Sequence, residues 1–94
     1  MTITAVALDL DGTLLPRGGK QLSGRTVAAL RAVQGRGIRV ILATGRAACA
    51  VPPAMLEGFA PDAAVYSGGA LVLDGEGRTL AARCLEDQPM YALV

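Results

Sequence analysis

The chain has 94 residues, of which 52% are apolar and 18% charged, with a net charge of +1. Such a length holds one small domain or part of a larger one, and the composition excludes a disordered chain, which needs low hydrophobicity and excess charge. With no block of like charge, the sequence offers no bulk attraction to nucleic acid or to an anionic membrane.

The apolar content is mostly small. Seventeen residues are Ala, three are aromatic and none is Trp, so the predicted core is thin. No apolar run approaches the roughly 20 residues that a membrane-spanning helix requires. The N-terminal stretch lacks the basic start of a signal peptide, and Asp9 and Asp11 interrupt its apolar run. Cys49 and Cys84 are too few for a disulfide scaffold. They are read as free thiols with packing roles in a reducing compartment, and the expected location is the cytoplasm. There is no His, which excludes His-based triads and His-ligated metal sites within these residues.

In chain order, Ile3 to Leu8 form a short, continuously apolar segment whose length suits a strand buried on both faces of a parallel sheet. Residues 16–22, with one Pro and two Gly, read as a loop. Ser23 is a predicted helix N-cap, with the helix running to about Gln34. Val27, Leu30 and Val33/Gln34 fall on one face, and Gly35 and Gly37 supply the stop. Ile38 to Ala43 is a second buried strand. Residues 47–58 are Ala-rich and predicted helical, with Pro52-Pro53 breaking or restarting the helix. Ala63–Tyr66 is a third strand. Leu71–Leu73, the turn Asp74-Gly75-Glu76-Gly77, and Thr79 to Leu85 read as a β-hairpin. Glu86 to Pro89 looks like a helix start, followed by the apolar Met90, Tyr91, Leu93 and Val94.

Strands alternating with helices predict an α/β fold with right-handed βαβ units and a parallel sheet. In such sheets ligands sit beyond the carboxyl ends of the strands, so the polar residues after each apolar run are the candidates for chemistry. After the first strand stand Asp9-Leu10-Asp11-Gly12-Thr13. Two neighbouring carboxylates repel unless a cation or proton lies between them. Such an oxygen-rich pair suits Mg²⁺, which takes one or two carboxylates together with waters and substrate phosphate. One carboxylate can also attack phosphorus while its neighbour carries a proton. After the second strand stand Thr44-Gly45-Arg46. A hydroxyl beside a backbone N–H makes a small anion site, stronger if a helix N-terminus follows, and Arg46 could add charge-assisted bonds to phosphate.

The string Leu8-Asp9-Leu10-Asp11-Gly12-Thr13-Leu14-Leu15 resembles motif I of the haloacid dehalogenase-like hydrolase superfamily, and Ile41-Leu42-Ala43-Thr44-Gly45-Arg46 resembles its motif II. The immediate loop, Leu22-Ser23 before the helix, and Ala-Thr-Gly-Arg after the second strand are similar to the Cof-type branch. That branch comprises phosphatases of sugar phosphates and other small phosphate monoesters, with an inserted α/β cap. Tyr66-Ser67-Gly68-Gly69-Ala70 lies where the branch carries Asn-Gly-Ala, with Gly68 in place of the Asn.

The resemblance implies a Rossmann-like core over residues 1–69, and a β-hairpin with the start of a cap insertion over 70–94. It implies that Asp9 is the nucleophile that forms an aspartyl-phosphate, and that Asp11 is general acid to the leaving alcohol and then base to water. It further implies that Asp9 and Asp11 hold Mg²⁺, the latter through its carbonyl, and that Leu10, Asp11, Thr44 and Gly45 bind the phosphoryl group. The expected partner is a small phosphorylated metabolite, not nucleic acid or membrane.

The family also carries a downstream Lys and a downstream acidic motif. The one Lys, Lys20, sits in the loop after motif I, and Asp74, Glu76, Glu86 and Asp87 fall in or after the hairpin rather than beyond a further parallel strand. The chain is therefore read as the N-terminal part of a longer protein. The alternative is a catalytically silent fragment or an interaction module that self-associates through an exposed sheet edge.

Overall fold

The computed structural model describes residues 2–16 and 18–82. Five strands form one sheet in the order in which they occur in the chain: β1 (Ala5–Asp9), β2 (Arg39–Ala43), β3 (Ala63–Tyr66), β4 (Leu71–Asp74) and β5 (Thr79–Ala82). β1, β2 and β3 run parallel, while β4 and β5 add an antiparallel hairpin to the β3 edge. The α/β reading with a parallel core and terminal hairpin therefore stands. The predicted strand over 83–85 and the helix start after it lie outside the described residues.

The single α-helix among the described residues, α1 (Gly24–Gly35), connects β1 to β2. Its start follows from Ser23, whose extended backbone (φ −75°, ψ 155°) lets its hydroxyl accept the Thr26 N–H at 3.1 Å, satisfying a donor that the first turn leaves unpaired. It stops because Gly37 takes φ +81° and returns its N–H to the Gln34 carbonyl at 2.9 Å, a left-handed geometry that glycine adopts without steric cost. Val27 and Leu30 turn inward and are buried.

Residues 47–58 differ from the helical prediction. They form two 3-10 turns, Ala48–Ala50 and Pro53–Leu56, separated by Val51 (φ −125°, ψ 73°) and Pro52 (φ −68°, ψ 154°). Each proline drives the residue before it out of the helical region and removes a backbone donor, so the alanine-rich composition is overridden. Cys49, expected to pack, is exposed in the first of these turns; Cys84 lies outside the described residues.

The sheet buries one face. Val40 and Leu42 of β2 and Ala64 of β3 pack with α1 and with Met55, Leu56 and Phe59 from the β2–β3 connection, and Val6 and Leu8 of β1 lie against this cluster. The opposite face carries Ala5, Ala7, Ile41, Ala43, Ala63 and Val65, half-buried or exposed. β1 thus alternates between exposed and half-buried residues, in contrast to the expected burial on both faces: among the described residues it is an end strand, and no helix among them covers the second face.

Candidate active site

The parallel register aligns Asp9 with Ala43, so the loop after β1 and the loop after β2 leave the sheet side by side. Motif I is shaped by its leucines. Leu10 and Leu15 are 0% and 1% exposed and anchor a tight loop. Leu15 N–H donates to the Leu10 carbonyl at 2.8 Å, and Gly12 N–H to the Leu15 carbonyl at 2.9 Å. Gly12 makes the turn with φ +80°, a conformation that strains residues with a Cβ. Because the leucines sink, Asp9, Asp11 and Thr13 are left exposed at the rim. The Asp9 carboxylate turns back so that Oδ1 accepts the Leu10 N–H at 2.8 Å.

The β2 loop is fastened to β3. Thr44 N–H donates to the Val65 carbonyl at 2.9 Å, Gly68 N–H to the Thr44 carbonyl at 3.2 Å, and Ser67 N–H to the Arg46 carbonyl at 2.8 Å. Ser67 takes φ 53° to reach this position. Thr44 is buried, at 5% exposure. Its Oγ1 accepts the Arg46 N–H at 3.1 Å, and a hydroxyl so engaged still has its proton to donate.

Arg46 crosses to motif I. Its Nε donates to Asp11 Oδ2 at 2.8 Å and its Nη2 to Asp11 Oδ1 at 2.7 Å, a two-point fork, while Nη1 donates to the Ala50 carbonyl at 3.1 Å. The guanidinium holds the Asp11 carboxyl below its ordinary range, chiefly by hydrogen bonding and then by charge, and Asp11 in turn raises Arg46. Asp11 is therefore ionised well below neutral pH.

The structure brings Asp9, Asp11 and Thr44 to one rim, with Gly45 exposed beside them. Two sequence expectations change. No α-helix begins after Gly45, where the chain passes through a bend into the 3-10 turn at Ala48–Ala50, so no helix dipole reinforces an anion there. The Leu10 side chain lies wholly in the core, and its N–H is engaged by Asp9. The Arg46–Asp11 fork and the Ser67 anchor were not foreseen. Opposite charges after neighbouring parallel strands were a readable signal for the first, whereas nothing local announces a left-handed serine.

Among the described residues no group of three or more His, Cys, Asp and Glu side chains assembles. At the end of β1 the exposed Asp9 carboxylate and the Asp11 backbone carbonyl are the oxygen donors that would suit a Mg²⁺ completing its shell with water and phosphate, the Asp11 carboxylate being engaged by Arg46. Lys20 is exposed in its loop. Asp74 accepts from Glu76 N–H, Arg78 N–H and the Arg78 side chain within the hairpin turn, away from this rim. Arg17, Glu86 and Asp87 lie outside the described residues. Among the described residues no helix is long and apolar enough to cross a membrane.

A family model of haloacid dehalogenase-like hydrolases matches residues 6–94. The chain belongs to the haloacid dehalogenase-like hydrolase family. A phosphoglycolate phosphatase of Methanothermobacter thermautotrophicus is 35% identical over 77 residues, spanning 81% of this chain and 34% of that protein. The solved structure of a haloacid dehalogenase-like hydrolase from B. subtilis superposes with a TM-score of 0.80 at 33% identity, covering 97% of this chain and 32% of the other. A subclass IIB sugar phosphatase shares the fold, with a TM-score of 0.65 at 24% identity over 84% of this chain and 31% of its own. The chain spans about a third of the length of these relatives.

Proposed function

We propose that the protein is a Mg²⁺-dependent phosphatase that cleaves a small phosphate monoester through an aspartyl-phosphate on Asp9. One observation carries this reading: Asp9 and Asp11 emerge at the carboxyl end of β1 in register with Ala43, beside Thr44. The family's phosphatase relatives support it.

An Asp9 carboxylate oxygen attacks phosphorus, forming the Asp9 O–P bond as the bond from phosphorus to the leaving oxygen breaks. In the fraction of molecules whose Asp11 carboxyl is protonated, that carboxyl delivers its proton to the leaving oxygen, releasing the alcohol and leaving Asp11 ionised. Water then attacks the phosphorus, Asp11 takes its proton, and the Asp9 O–P bond breaks to give phosphate and restored Asp9. The Thr44 hydroxyl and the Gly45 N–H hold phosphoryl oxygens, as does the Asp11 N–H. Asp9 and Asp11 would hold the Mg²⁺, which when bound supplies positive charge against the phosphoryl oxygens. Most of what these residues do is alignment and charge neutralisation, as phosphoryl transfer requires.

The substrate class is sugar phosphates and phosphoglycolate, with selectivity assigned to a cap insertion that begins in residues 70–94. Phosphate release with Mg²⁺ from a panel of both kinds of ester tests the reading. Turnover is expected in the parent and none in Asp9→Asn; a variant as active as the parent removes the nucleophile.

A second reading is favoured by β1, which among the described residues is an end strand of the sheet and which another copy of the chain could extend. Sedimentation velocity over a concentration series tests it: a shift to a larger species supports pairing through β1, and an unchanging monomer excludes it.

A further inference from the structure

We propose that Arg46 is the positioning residue of this site: it aims the Asp11 carboxylate through its fork and is itself fixed by the loops after β2 and β3. The proposal rests on the reading of Asp11 as proton carrier. Among the described residues of its own loop none bonds to that side chain. Asp11 opens the turn that Gly12 makes and is 53% exposed, and an exposed Asp on a turn samples several rotamers. The fork removes that freedom, because a planar guanidinium meeting a carboxylate at two points sets both its position and its plane.

Arg46 can do this because it is held at both ends. Its N–H is bonded to Thr44 Oγ1 and its carbonyl to Ser67 N–H, and its Nη1 to the Ala50 carbonyl. The aim of Asp11 is thus inherited from β2 and β3 rather than from β1. The fork also lines an open pocket of about 370 Å³ together with Pro16, Gly18 and Gly19, where a leaving group released beside Asp11 would fit.

Four measurements decide it. Arg46→Ala is expected to lower kcat on an alkyl phosphate about a hundredfold, the order a small misplacement of a catalytic group costs, with KM within about twofold. Arg46→Lys keeps the charge but not the fork and is expected to recover less than about a third of that loss. Adding Arg46→Ala to Asp11→Asn is expected to cost nothing further, since both act through one carboxylate. Independently of turnover, the Arg46 Nε–H proton of the unliganded parent should exchange slowly with solvent by NMR, and quickly in Asp11→Asn. A raised KM with unchanged kcat would make Arg46 a substrate contact and overturn the proposal, as would additive losses in the double variant. So would Nε–H exchange indifferent to Asp11→Asn. A parent that hydrolyses no phosphate ester, by contrast, defeats the phosphatase reading, and the exchange measurement then decides the fork alone.

Discussion

Asp62 and Val40 hold each other in a reciprocal pair: Val40 N–H donates to Asp62 Oδ2 at 2.8 Å, and Asp62 N–H donates to the Val40 carbonyl at 2.8 Å. The same carboxylate accepts Gln34 Nε2 of α1 at 3.0 Å. One side chain just before β3 thereby ties together α1, β2 and β3, and fixes the level at which the strands deliver their ends to the site.

That tie makes stability depend on acid. The Val40 N–H above all, and then Gln34, hold the Asp62 carboxyl below its ordinary value. A depressed folded pKa contributes stability above the unfolded value of about 4, which is lost as pH falls through the folded value. Asp62→Asn should therefore unfold more easily at neutral pH by about 0.5–1 kcal/mol, a modest figure because the group is exposed and screened. Thermal melts of both proteins from about pH 7 down to about pH 3 should show the gap closing; a gap independent of pH would contradict the assignment.

Leu10 is where fold and site depend on one residue. It is fully buried between two exposed aspartates, so Leu10→Ala should destabilise by about 2–5 kcal/mol through lost burial and a residual cavity. Urea midpoints measure this directly. A loss below about 1 kcal/mol would mean that the loop collapses to fill the space.

Thr44→Val keeps shape and burial but removes the acceptor of the Arg46 N–H. A cost of about 1 kcal/mol is expected from that bond, read from denaturant unfolding. On the proposed function, kcat/KM should fall about tenfold as a phosphoryl contact is lost.

Asp11→Asn keeps the size of the side chain and removes its capacity to carry a proton. The rate on an alkyl phosphate is expected to fall by about 10²–10⁴-fold, the usual contribution of a positioned acid or base. An aryl phosphate with a good leaving group should lose less in its first step, which pre-steady-state release of the phenol would report.

Much of this architecture was legible. The Ser23 cap, the Gly37 stop and Ala63–Tyr66 follow from local chemistry, and they appear where the sequence puts them. Residues 47–58 were misread because alanine content speaks for helix while two prolines act on individual backbone angles. β1 was misread because a run such as Ala5 to Leu8 is apolar on both sides whether or not a second layer covers it. At the site, spacing brought out Asp9, Asp11 and Thr44, each tied to a strand end. The Arg46–Asp11 fork joins residues 35 positions apart, and so depends on which strands are neighbours, a fact that no window along the chain contains.

The side of the sheet that no helix covers among the described residues is paved largely with methyl groups, from Ala5, Ala7, Ala43 and Ala63. Short side chains expose little greasy area apiece, so this side adheres less to other molecules than a valine or leucine surface would. They also leave it shallow, so any layer laid over it must bring the bulk itself, and the fit there is set by the newcomer's contours.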